Sequence, residues 1–390
     1  MVKRVAIVTS HPIQYYAPLF KLLAQGIELK VFYTWGKDSV EKYDPGFGKN
    51  VQWDVPLLEG YEYQYLENIA EKPGSHHFKG IRNPTIIKEL LDYNPAAILV
   101  IGWGYHSHLK VLKYFKGKIP LYFRGDSTLL DNYASGFAGK AKNFARRIFL
   151  IWVYSHVDKA FYVGKESKAY FKWALLKESQ LVFSPHSIDN TRYAIDCSNK
   201  VDELRKSLSL SNLDRIILFA GKFESKKNPQ LLLNAFVDAV TEKIHLVFVG
   251  NGEEEQRLKE TARNSGKSEF IHLVGFQNQS MMPIWYQFAD VFCLPSRGPG
   301  ETWGLAVNEA MASGKVIIVS NKVGCGKDLV IDNVNGWIFE SNNHKNLVEI
   351  IEKIPDKDAL LEMGNESKKI IKDWGLNHTA NCILKEWRNI

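Results

Sequence analysis

The chain has only four cysteines in 390 residues, Cys197, Cys293, Cys325 and Cys382, and none are paired at metal or redox spacing. That excludes a disulfide scaffold and reads as reduced thiols in a cytoplasmic protein. Long apolar runs are missing as well. The longest, Ile148 to Tyr154, falls far short of the roughly 20 residues that a membrane span needs. The run Val5 to Val8 is too short for a secretory core and has no small-residue cleavage site after it, so it reads as a buried first strand. No Gly-x-Gly-x-x-Gly follows that strand, which argues against a nicotinamide dehydrogenase. No recognised nucleic-acid module or Arg-rich stripe appears, so nucleic acid is not an expected partner.

What is present is unevenly distributed. Residues 1–193 carry 26 Lys and Arg against 17 Asp and Glu, whereas residues 194–390 carry 24 against 26. Sixteen of the 17 tyrosines also lie in the first stretch. Two domains with different surfaces and partners are expected. In the first half the apolar runs Val5–Thr9, Leu29–Thr34, Ala97–Ile101, Leu121–Arg124 and Ala160–Val163 read as strands. Helical stretches lie between several of them, at Tyr16–Gln25, Pro84–Tyr93, His106–Phe115 and Lys165–Lys177. Residues 36–80 are less regular and read as an insertion.

The second half repeats the rhythm, with strands at Ile216–Ala220, Leu246–Val249, Phe270–Val274, Val291–Leu294 and Val316–Val319. Helices are expected at Pro229–Val240, Glu253–Ser265, Met281–Phe288 and Gly304–Ala312. This is the α/β pattern of two Rossmann-like, doubly wound parallel sheets, with a boundary near 190–212. Ligands of such sheets bind outside the carboxyl ends of the strands, so two sheets facing a central cleft would place the chemistry in post-strand loops.

Three such loops carry candidate residues. Gly221-Lys222-Phe223-Glu224-Ser225-Lys226-Lys227-Asn228 follows a strand, and its lysines could meet phosphates or simply be solvated. Val249-Gly250-Asn251-Gly252 follows the next strand and is a turn or a close backbone approach. Pro295 to Ala312 holds Glu301 in a loop and Glu309 inside the helix that follows. The backbone N–H groups of Gly304, Leu305 and Ala306 would sit at that helix N-terminus and could bind a phosphate. A buried helical Glu309 could accept two sugar hydroxyls; the alternative has Glu301 capping the helix and Glu309 facing solvent. Val307, Ala310 and Met311 around Glu309 speak against a purely solvated face.

Taken in order, Gly221-Lys222-Phe223-x-x-x-Lys227, Val249-Gly250-Asn251-Gly252, the two glutamates with seven residues between them, Gly314-Lys315 and Asn335-Gly336-Trp337 resemble the retaining glycosyltransferases of family 4. The resemblance implies a GT-B fold. It is strongest over about 210–340, and Ser184-Pro185-His186-Ser187-Ile188-Asp189 resembles the family's Pro-Asn-Gly-Val-Asp segment. It implies an acceptor domain over 1–195, a nucleotide-sugar domain over 196–373 and a helix over 374–390 that returns to the first domain. It further implies that Lys222 and Lys227 face a diphosphate, that Glu309 binds ribose, and that Glu301 lies beside the transferred sugar. Thr302 to Ala306 would contact sugar and phosphate through their backbone. The co-substrate would be UDP- or GDP-linked, with no cofactor and no metal.

The first half departs more from the family pattern. Position 222 is Lys where the family usually has Arg, and Ser10-His11-Pro12-Ile13-Gln14-Tyr15 replaces a Gly-Gly loop. Asp126 stands roughly where many members have a histidine, and it could pair with Arg124 or, with it, contact acceptor hydroxyls. Besides Arg124, His11, Gln14, Tyr15 and His106 are the cleft candidates. The pair His106 and His108 lacks a clear third metal ligand. The stretch Lys140 to Leu150 interleaves basic and apolar residues and could rest on an anionic membrane surface, or be an ordinary amphipathic helix. The expected function is glycosyl transfer to a saccharide or lipid-linked hydroxyl in bacterial polysaccharide or glycolipid synthesis. A nucleotide-sugar epimerase and a catalytically silent partner subunit are the alternatives.

Overall fold

The computed structural model describes residues 3–39, 42–44, 46–131 and 136–388. Its strands are β1 (Arg4–Thr9), β2 (Glu28–Tyr33), a short pair β3 (Lys42–Asp44) and β4 (Lys49–Val51), then β5 (Glu62–Tyr65), β6 (Ala97–Ile101), β7 (Leu121–Arg124), β8 (Lys159–Tyr162) and β9 (Leu181–Phe183). The second half contributes β10 (Arg215–Ala220), β11 (Ile244–Val249), β12 (Ile271–Val274), β13 (Val291–Leu294), β14 (Val316–Ser320) and β15 (Gly336–Phe339). They form a seven-stranded sheet in the order β5-β2-β1-β6-β7-β8-β9 and a six-stranded sheet in the order β12-β11-β10-β13-β14-β15. The pairing within each is parallel.

Two compact units result. One comprises residues 1–42, 55–186 and 376–390, and the other residues 43–54 and 187–375. In the interior of the first unit's sheet both faces are buried, so β1, β6 and β7 read as largely continuous apolar runs. Val5 and Ile7 of β1 point into one core and Ala6 and Val8 into the other, the two-residue period of a strand. The helix Leu376–Arg388 packs on the helix Ala17–Ala24, with Ile383 and Trp387 fully buried. Glu386 of that helix pairs with Lys159 of β8. The polar stretch after the crossover is helical over Ser198–Ser207.

In each sheet the strand order reverses once next to the first strand of its unit, between β1 and β6 and between β10 and β13. At such a reversal the loops leaving the two neighbouring strands diverge and open a crevice. The loops after β10 and β13 are those that hold the lysine element and the two glutamates.

Candidate donor site

The loop after β10 is built against the loop after β11. Phe223 is buried, its N–H donates to the Asn251 carbonyl at 2.8 Å, and its own carbonyl accepts from Glu254 N–H at 2.9 Å. A Cβ on Gly250 would stand 1.9 Å from the Gly221 carbonyl oxygen, and one on Gly252 would stand 2.5 Å from that of Phe223. Their φ values of +148° and +155° disfavour any side chain as well. The glycines of this turn thus let two loops touch.

Lys227 Nζ donates to Glu301 Oε2 at 2.9 Å, and Ser296 Oγ donates to the same oxygen at 3.1 Å. Glu301 is 8% exposed. Its loop is pinned from behind, where the Glu301 and Trp303 carbonyls accept from Gly324 and Cys325 N–H. Trp303 is buried, donates to Asn308 Oδ1 at 2.9 Å, and lies 5.3 Å from the Trp374 ring. Gly304 then turns the chain at φ +95° into the helix Leu305–Ala312. The N–H ends of Leu305 and Ala306 therefore start a helix whose approach is fixed. Glu309 lies one turn further on. Its Oε1 accepts from the Tyr193 hydroxyl and its Oε2 from the Tyr286 hydroxyl, both at 2.7 Å. Burial dominates and raises the Glu309 carboxyl above its ordinary value, with the two phenol donors opposing the rise.

Lys222 has a partner that sequence reasoning missed. Its Nζ donates to Asp44 Oδ1 at 2.7 Å, with the Phe47 ring 5.0 Å away. The segment 43–54 lies in the second unit by further contacts. Phe47 and Trp53 meet the Phe276 ring at 4.8 and 6.2 Å, and Asn278 Nδ2 donates to the Gln52 carbonyl at 2.8 Å. Ser280 N–H donates to Asp54 at 3.0 Å. Nothing local in residues 36–80 announces this, because the partners lie 178 to 229 positions away. The Asp-x-Asp spacing from Asp356 to Asp358 lies at the start of a helix, which Asp356 caps by accepting from Ala359 N–H at 3.0 Å. Among the described residues no group of three His, Cys, Asp or Glu side chains could hold a metal ion.

The first-unit candidates fall into two groups. His11, Gln14 and Tyr15 lie in the turn after β1, with the His11 ring 5.2 Å from Trp35. Tyr15 stands 5.2 Å from His186 and 4.8 Å from Tyr16, and burial raises its phenol well above the ordinary value. Arg124, at the end of β7, is 1% exposed. Its Nη1 donates to the Ser184 carbonyl and hydroxyl, and its Nη2 to the Pro185 carbonyl, at 2.8 to 2.9 Å. Asp126 is near enough to this group to act electrostatically on Tyr15, Tyr16 and His186. The two histidines after β6 diverge, as residues two apart on a helix must. His106 is exposed, while His108 is buried with Nδ1 on the Gly102 carbonyl at 2.6 Å and Nε2 on Thr34 Oγ1 at 2.8 Å.

Residues 200–372, which hold Lys222, Lys227, Glu301, Gly304 to Ala306 and Glu309 but not Tyr193 or Asp44, match the model of the family Glycosyl transferases group 1. This part of the chain is similar to the group 1 glycosyltransferases. The chain is 28% identical over 204 residues to an uncharacterised glycosyltransferase of Haemophilus influenzae, covering 51% of this chain and 55% of that one. It is 29% identical over 150 residues to the lipopolysaccharide 1,2-N-acetylglucosaminetransferase of Salmonella typhimurium, covering 36% and 38%. The matched stretches span about half or less of these relatives. In fold, the whole chain is similar to Alr3699/HepE of Anabaena, solved with UDP and glucose, at TM-score 0.73, 14% identity and 100% coverage of both chains. It is also similar to the sucrose-phosphate synthase of Thermosynechococcus elongatus, at TM-score 0.73, 17% identity and coverage of 99% and 98%. The two parallel sheets are those of the GT-B fold.

Proposed function

We propose that the protein transfers a glycosyl group from a UDP- or GDP-linked sugar to an acceptor hydroxyl, with retention and without a metal ion. What supports this reading is the pairing of Lys227 with Glu301 just ahead of the helix Leu305–Ala312 that carries Glu309, inside the stretch that the family model matches. In the proposed step the bond from the anomeric carbon to the β-phosphate oxygen breaks with oxocarbenium character. The acceptor oxygen bonds to that carbon, and its proton passes to the leaving diphosphate. Lys222, Lys227 and the N–H groups of Gly304 to Ala306 stabilise the charge that grows on the leaving group. Glu309 receives ribose hydroxyls, and Glu301 stands beside the transferred sugar. His11, Gln14, Tyr15, His106, Arg124 and Asp126 belong to the acceptor side.

A role in bacterial polysaccharide or glycolipid synthesis accords with the name of the Salmonella relative. The helix Gly136–Tyr154 supports peripheral binding to an anionic membrane, because Phe144, Ile148, Phe149 and Trp152 are exposed on it among Lys140, Lys142, Arg146 and Arg147. No helix among the described residues is long and apolar enough to cross a membrane.

The test is a thermal shift with UDP, GDP, ADP and CMP, with Glu309→Ala alongside. A ligand at a hundredfold excess over its dissociation constant adds about 2.7 kcal/mol. A rise with one nucleoside diphosphate, lost in the variant, is expected; no rise with any of them refutes the donor site. Release of free nucleotide only when acceptor is present separates transfer from epimerisation.

A further inference from the structure

Glu309 sits among four groups that act on its charge. Tyr193 comes from the short helix Asn190–Tyr193 and Tyr286 from the helix Met282–Phe288. Arg192 and Lys227 are the cations that act on it through space. Neither tyrosine is free to leave. The Tyr193 carbonyl accepts from Gln287 Nε2 at 3.1 Å and Ser313 Oγ at 3.2 Å, which ties it to both neighbouring helices. The two phenol rings pack edge to face at 5.8 Å, and Tyr286 is 1% exposed.

This geometry has a chemical consequence. Tyr193 Oη is 2.7 Å from Glu309 Oε1 and 3.4 Å from Gln279 Oε1, so its single proton goes to the carboxylate. Each Glu309 oxygen therefore takes one phenol proton and keeps one further acceptor position. Short O–H···O⁻ bonds hold the ionised form; a protonated carboxyl would lose an acceptor and set its own proton against a phenol's.

We propose that Tyr193 and Tyr286 are positioning residues of the donor site, which lock the Glu309 carboxylate in one orientation and in its ionised state so that its two remaining acceptor positions meet a vicinal diol of the ligand. This rests on the reading of Glu309 as the ribose contact. It adds two residues to that reading.

The experiment is calorimetric titration of the full chain with UDP and GDP between pH 5.5 and 9. It compares the wild type with Tyr193→Phe, Tyr286→Phe and Glu309→Gln. Each Tyr→Phe change removes one donor and keeps the ring. At pH 7 the better nucleotide is expected to bind about 10-fold more weakly to each Phe variant, the worth of one hydrogen bond to a charged group. The loss should grow as pH falls and shrink as it rises, because each variant titrates its acid at a higher pH. Glu309→Gln should bind weakly with only the ligand's own pH dependence, which serves as the baseline. A loss in both Phe variants that is the same at every pH overturns the proposal, as does wild-type affinity in both. Absence of nucleotide binding to the wild type would instead remove the donor-site reading beneath it. Either Phe variant suffices if the other fails to fold.

Discussion

Lys227 and Glu301 form the donor-site contact whose energetics follow most directly from geometry. Their side chains are 17% and 9% exposed, and Nζ lies 2.9 Å from Oε2. Removing one partner of a buried pair costs about 3–5 kcal/mol, chiefly because the other charge is left unpaired. The cost should be unequal here. Glu301 is the deeper partner, so Lys227→Met should lose about 3 kcal/mol, with only the Ser296 hydroxyl left to serve the carboxylate. Glu301→Gln should lose about 1 kcal/mol, since Lys227 can turn toward water. For a unit of this size about 3 kcal/mol corresponds to roughly 6–12 °C in Tm. The double variant Lys227→Met/Glu301→Gln should recover to within about 1 kcal/mol of Glu301→Gln, a coupling of about 2–3 kcal/mol. The assay is thermal and urea unfolding of all four proteins, with transfer rates measured in parallel. Both single variants should be slower by roughly 10²–10³. A Lys227→Met protein that melts within about 2 °C of the wild type, or strictly additive losses, would refute the assignment of this pair as buried and coupled.

Asp44 pairs with Lys222, so under the proposed reading a diphosphate competes with it; Asp44→Asn should then tighten UDP or GDP binding about 3- to 10-fold at low salt, and weaker binding by titration would contradict this. Burial lowers the pKa of His108 and His186 to about 4, below the ordinary 6.5. Between pH 4 and 6.5 the unfolded chain then binds more protons than the folded one. Their stability contribution is therefore complete above pH 6.5 and is lost as pH falls toward 4, at up to about 1.4 kcal/mol per pH unit for each histidine. Urea midpoints should fall across that window, and His108→Asn should flatten the fall. Phe144→Ser with Ile148→Ser should cut flotation with anionic vesicles by at least about tenfold, whereas unchanged flotation would remove that helix from any membrane contact.

The sequence made the interior strands legible and the edges obscure. β1, β6, β7, β10, β11, β13 and β14 are buried on both faces, so continuous apolar runs announce them. β5, β9 and β15 are short edge strands; Glu-Tyr-Gln-Tyr is too polar, and Leu-Val-Phe at three residues too short, to announce a strand. At the site, Lys227 and Glu301 are named by motif spacing and stand within hydrogen-bond distance of one another. The phenols on Glu309 come from 116 and 23 positions earlier and carry no local signature. The apolar neighbours Val307, Ala310 and Met311 were the readable part of that environment. Asp44 was unreadable for the same reason, since its partner is set by the fold and not by its neighbours.

The order of synthesis gives the segment 43–54 a further meaning. The chain leaves the first unit at 42, returns at 55, leaves again at 186 and returns at 376. Asp44 is made 178 residues before Lys222, and Gln52 is made 226 residues before Asn278. At about 5–20 residues per second, the segment waits roughly 10–40 s for its first partner. The first unit meanwhile lacks the helix Leu376–Arg388, whose Leu376, Ala380, Ile383 and Trp387 complete one of its two cores. The unit begun first is thus finished last. A nascent chain stalled before residue 376 carries a second unit whose own residues are all present beside a first unit with an open core face. Loss of the last 15 residues should therefore damage the half of the molecule that contains the N-terminus.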